Sequence, residues 1–71
     1  MILDTYYSDD LDCTVVHLTN KAAFALEYPD RESLFDHGYT DSEIDQVFDL
    51  IQQGVKDWYW NNEGTFVLLK D

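Results

Sequence analysis

Cysteine, proline, glycine and positive charge are all scarce in this chain of 71 residues. The single cysteine, Cys13, rules out an internal disulfide and any zinc site built from several thiolates. No apolar run approaches the length needed to cross a bilayer, and the N-terminus lacks the basic region of a signal peptide. A soluble, intracellular protein of the cytoplasm is therefore expected. There is no glycine-rich phosphate loop, internal repeat, low-complexity stretch or linker. Four Lys and Arg face fifteen Asp and Glu, a formal net charge of −11 spread along the whole chain. The phosphate term that dominates binding to DNA, RNA or an anionic membrane would be repulsive here. Such a field steers a basic partner instead.

What is present is apolar and aromatic. The chain is 45% hydrophobic and carries two Trp, five Tyr and four Phe, too much for a disordered acidic tail. One folded domain spanning residues 1–71, with one small core, is expected.

Tyr39 to Gly54 has its start, face and stop all written in the sequence. Thr40 and Glu43 form a capping box, and Tyr39 and Ile44 stand at the spacing of a hydrophobic staple. Ile44, Val47, Phe48 and Ile51 recur at i, i+3, i+4 and i+7, the stripe of an amphipathic helix. Gly54 terminates it. On another face Asp41, Asp45 and Asp49 make a carboxylate ridge, with roughly 6 Å of rise between neighbours. No Lys or Arg between Glu32 and Val55 relieves their repulsion.

From the N-terminus, Met1 to Tyr7 reads as a strand, Ser8 to Asp12 as an acidic loop, and Cys13 to Leu18 as a β-branched strand completing a hairpin. Thr19 and Asn20 open an alanine-rich segment that Pro29 ends; a strand after an Asn20-Lys21 turn is the alternative, and the alanine content favours helix. Residues 30–37 read as one or two further helical turns, capped by Asp30, with Leu34 and Phe35 inward and Gly38 as terminator. After the main helix, Lys56–Trp60 and Thr65–Leu69 read as a hairpin around Asn61-Asn62-Glu63-Gly64. Trp58 and Trp60 share one face and Tyr59 takes the other; the last strand is apolar on both sides. The class is α+β: an antiparallel sheet of an N-terminal and a C-terminal hairpin, with two to three helices on one face, in the order ββα(α)αββ.

Catalytic and metal chemistry find little support. Cys13 and His17 share a strand face but lie roughly 13 Å apart, too far to hold one ion. Asp9, Asp10 and Asp12 lack the glycine and closing glutamate of a calcium loop. A Cys13–His37 nucleophilic pair rests only on both residue types being present. Asp41-Ser42 at a helix start resembles, over two residues, the Asp-Ser-Leu motif of acyl carrier proteins, which implies an all-helical bundle with phosphopantetheine on the serine. Glu43 stands where their leucine would be, and the C-terminal hairpin departs from that bundle. Trp58, Tyr59 and Trp60 could stack on bases, but only Lys56 and Lys70 lie near. The expectation is a protein that is not an enzyme, with no cofactor and no metal.

Two binding readings remain. In the first, Asp41, Asp45 and Asp49, the loop acids Asp9, Asp10 and Asp12, and Glu32 and Asp36 imitate a row of phosphates. They occupy the basic groove of a DNA- or RNA-handling enzyme or complex, with Tyr39 and Tyr59 as aromatic anchors. In type, this resembles the small acidic DNA-mimic inhibitors that phages and mobile elements use against restriction, CRISPR or repair enzymes. In the second, the protein is a non-mimetic interaction module (an immunity- or antitoxin-like partner, an adaptor or a homodimer) that binds through an apolar surface drawn from Tyr6, Tyr7, Trp58 or Tyr59.

Overall fold

The computed structural model describes residues 1–70, which run β1 (Ile2–Ser8), β2 (Cys13–Leu18), α1 (Lys21–Glu27), α2 (Arg31–Asp36), α3 (Asp41–Gln53), β3 (Val55–Asn61) and β4 (Gly64–Leu69). Two hairpins, β1–β2 and β3–β4, join through β2 and β4 into a four-stranded antiparallel sheet of order β1-β2-β4-β3. The order follows from side-chain chemistry. The sequences of β2 and β4, CTVVHL and GTFVLL, carry no Asp, Glu, Lys or Arg and take the two central places. Strands β1 and β3 hold Asp4, Lys56 and Asp57 and form the edges, where a charge keeps its water and discourages further pairing. All six residues of β4 are buried, as its apolar alternation implies.

The helices cover one sheet face. Val16, Leu18, Val67 and Leu69 point toward them and pack with Ala22 of α1 and Leu50 of α3. A second cluster of Ala25, Leu34, Tyr39, Ile44 and Val47 locks the three helices to one another. Met1 and Leu26 touch both clusters. Each fully buried Val, Leu or Ile contributes about 1.5–3 kcal/mol of transfer free energy.

The start of α3 is as expected. The Thr40 hydroxyl accepts from Glu43 N–H at 3.2 Å, and the Glu43 carboxylate accepts from Thr40 N–H at 2.9 Å. Gly54 follows the helix at φ +100°, with its N–H donating to the Leu50 and Ile51 carbonyls. The buried stripe, however, is Ile44, Val47 and Leu50 rather than the expected set through Ile51. Ile51 is exposed and Phe48 half-buried. A spacing of i, i+3, i+6 and one of i, i+4, i+7 border the same helix face, and the sheet beneath α3 selects the first.

Helix α2 corrects a second expectation. Asp30 caps it by accepting from Glu32 N–H at 3.2 Å, and Leu34 is buried, but Phe35 is 62% exposed. Adjacent residues on a helix point about 100° apart, and a six-residue helix with one packed face can turn only one of them inward. Asn20 does not cap α1 with its side chain. Its amide, in the orientation that meets acceptors, donates to the carbonyls of Asn61 and Gly64.

In the β3–β4 turn Asn61 pairs with Gly64, and the Asn61 side chain accepts from Glu63 N–H at 2.8 Å. Gly64 is required there: a β-carbon at its φ of +143° would stand 2.5 Å from Leu18 O and 2.6 Å from His17 Nε2.

Candidate functional site

The acidic layer is built by the three helices. Residues 21–53 contain eight carboxylates and two cations. Both cations are held. Lys21 Nζ lies 2.9 Å from Glu43 Oε1, donates to Gly38 O at 3.3 Å and sits over the Tyr39 ring. An Arg31 guanidinium nitrogen lies 2.6 Å from Asp45 Oδ1, and the group covers the Phe48 ring. The ridge is therefore relieved at its middle, contrary to the reading from local sequence. Arg31 lies 14 positions earlier and reaches Asp45 across the α2–α3 contact. Asp41 and Asp49 flank that pair and remain exposed, as do Glu27, Asp30, Glu32 and Asp36.

The acidic loop stands at one end of the sheet. Asp9 and Asp10 are exposed. Asp12 takes a left-handed φ of +55°, tolerable for an aspartate, and its carboxylate accepts from the Tyr7 hydroxyl at 2.6 Å. Because β4 runs antiparallel to β2 and Lys70 N–H donates to Gly54 O, helix α3 ends at the same end of the sheet as this loop. The Asp49 end of the ridge and the loop acids thus share one end of the molecule.

Tyr39 is not available as an anchor. It is only 6% exposed, and its hydroxyl donates to Lys21 O at 2.6 Å. Burial raises its pKa above the usual phenol value; Lys21 opposes the rise and Glu43 adds to it. The staple that fixes the entry of α3 consumes the ring. Glu43 is held below the usual carboxylate range, first by the Thr40 N–H and then by Lys21.

Tyr59 is half-exposed on the sheet face away from the helices, as the alternation of β3 implies. Its ring stacks on Phe66 at 5.0 Å, and Phe66 stacks on His17 at 4.4 Å. Phe66 also joins Cys13, Val15 and Leu68 in a buried cluster that contains no helix residue. Tyr6, opposite Val15 in the sheet register, flanks this cluster from β1, whose Ile2, Leu3, Tyr6 and Tyr7 are all exposed. The continuity of this stack across three strands depends on strand order, which no local pattern states.

The Cys13–His37 pair does not form. Cys13 belongs to the cluster on the open sheet face, whereas His37 ends α2 with its ring against Phe24 and Nδ1 at 2.7 Å from Ser33 O. Ser42 lies in the first turn of α3, and the four-stranded sheet is incompatible with the all-helical acyl-carrier bundle. Among the described residues no group of three or more His, Cys, Asp or Glu is placed to hold a metal ion. Nor is any helix among them long and apolar enough to cross a membrane. No protein-family model, curated protein or solved structure matches the chain.

Proposed function

We propose that the protein is a non-catalytic, cytoplasmic inhibitor that binds the basic, nucleic-acid-binding groove of another protein. The observation that carries this reading is the charge distribution of the helix layer: eight carboxylates against two cations, with both cations already paired to Glu43 and Asp45. A partner's Lys and Arg would therefore meet carboxylates that no internal cation satisfies, on helices made rigid by two buried clusters. Asp41 and Asp49 on α3, Glu32 and Asp36 on α2, and Asp9, Asp10 and Asp12 at the nearby sheet end are the contact acids of this reading. Tyr59 serves it only where the partner also reaches the open sheet face. Anti-restriction and anti-CRISPR proteins of phages are the functional type to which such a surface belongs.

Association would be fast and salt-sensitive, because exposed charges separated by more than about 8 Å are screened at physiological ionic strength. Changing Asp41, Asp45 and Asp49 together to Asn tests the ridge. Partner binding is expected to be lost while the melting curve moves little, since relieved repulsion offsets an exposed Arg31 pair worth at most about 1 kcal/mol. Unchanged affinity would remove the ridge from the interface.

A specific observation favours a second reading. The open sheet face carries the Tyr59–Phe66–His17 stack, and β1 presents an edge of exposed Ile2, Leu3, Tyr6 and Tyr7. Through that surface the protein would act as an immunity- or antitoxin-like module, an adaptor or a homodimer, with little response to salt.

A further inference from the structure

The most exposed large ring in the protein belongs neither to the acidic layer nor to the open sheet face. Trp60 is 63% exposed and projects from β3 on the helix side, beside α1. Asn20, Ala23, Phe24 and Glu27 recur at i, i+3, i+4 and i+7, so they make one face of α1, and Trp60 closes that face into a groove of about 310 Å³. The volume is near the lower end of the range for ligand pockets and suits one long side chain.

Each wall has a defined chemistry. Phe24 is a fixed wall, with its ring packed against those of Tyr28, His37 and Tyr39. Asn20 ties the floor to the β3–β4 turn through the carbonyls of Asn61 and Gly64. Glu27 supplies the only formal charge, and its carboxylate has no ion pair or hydrogen bond among the described residues. The one cation of α1, Lys21, is turned to the other side of the helix, against Tyr39 and Glu43. Two π faces and one unpaired carboxylate, in a protein of net charge −11, are complementary to a cation with a flat face.

We infer that this groove receives a single arginine side chain of the partner protein, the guanidinium stacking on Trp60 and donating to the Glu27 carboxylate. Arginine fits better than lysine because a planar guanidinium can stack and make a two-pronged hydrogen bond at once. The inference rests on the proposed function only for the basic character of the partner. It adds a specific anchor to an otherwise diffuse electrostatic surface, and Trp and Arg are the residues enriched at such anchors.

The test is a titration of the full chain with Nα-acetyl-arginine amide, read at the two tryptophan indole N–H resonances, which a Trp60→Phe variant assigns. The Trp60 resonance should shift saturably while that of Trp58 stays in place. Nα-acetyl-citrulline amide, the neutral isostere, should leave both unmoved, and the lysine analogue should bind more weakly than arginine. Glu27→Gln should weaken the arginine analogue by roughly two- to fivefold. The absence of a saturable shift would overturn the inference. So would an equal response to citrulline or lysine, or unchanged affinity in Glu27→Gln. The variant with Asp41, Asp45 and Asp49 changed to Asn should retain the shift, so failure of the groove and failure of the acidic ridge are read separately.

Discussion

Glu43 links the cap of α3 to the one ion pair between α1 and α3. Its carboxylate accepts from Thr40 N–H and from Lys21, which lowers its pKa from the ordinary 4.5. A carboxyl whose folded pKa is depressed contributes stability in full above its unfolded value and loses it as pH falls through the folded one. Glu43→Gln should therefore be less stable than the parent at pH 7, and the gap should close as pH falls below 4.5 and through the lower folded value. Denaturant unfolding of both proteins at neutral and acidic pH measures it. No gap at pH 7 would mean that the amide replaces the carboxylate fully, and a gap that stays constant with pH would mean that the charge of Glu43 is not its source. The cap itself was legible from Thr40 and Glu43 alone, because its geometry is local. The Lys21 partner, 22 positions away, was not. Tyr39 shows the same limit from the other side: its staple position was readable, but a staple ring that packs among three helices cannot also be presented to a partner.

At the scale of elements, α3 carries the sharpest contrast between periodicity and packing. Both Leu50 and Ile51 fit an amphipathic pattern, yet only Leu50 meets the sheet-facing cluster. Leu50→Ala should cost about 2–5 kcal/mol, and Ile51→Ala a small fraction of that; Phe48→Ala, half-buried under Arg31, should fall between them. Equal losses at 50 and 51 in chemical denaturation would show that the helix is rotated from the orientation described. Element order and type were legible because each segment has a distinct period and a written boundary: Pro29, Gly38, Gly54 and Gly64. Strand order was legible only in retrospect, from the uncharged β2 and β4 between charged edges. The exposure of Phe35 beside buried Leu34 could not be read at all, since a single turn of helix offers two apolar neighbours and no period to choose between them.

At the scale of the whole molecule, the excess of acid was plain in the composition, but its arrangement required the fold. The helices bring the α1, α2 and α3 acids onto one layer and spend the two available cations inside it. The ridge is consequently two free carboxylates around a paired one, a weaker row than local sequence suggests. The layer still ends in net negative charge that nothing internal neutralises. The opposite sheet face is aromatic and almost uncharged, with Asp4 and Asp57 only at its edges. Binding through the acidic layer would weaken as salt rises and binding through the sheet face would hardly change, and that separates the two binding readings.

The most direct measurement is capture from a bacterial lysate on the immobilised protein and, in parallel, on the variant with Asp41, Asp45 and Asp49 changed to Asn. Both are washed across a salt gradient, and the bound proteins are identified by mass. The account predicts a nucleic-acid-handling protein that the parent holds at low salt and releases at moderate salt, that added DNA displaces, and that the variant does not hold. A partner that survives high salt, or that parent and variant retain equally, would contradict it and assign the interaction to the aromatic sheet face.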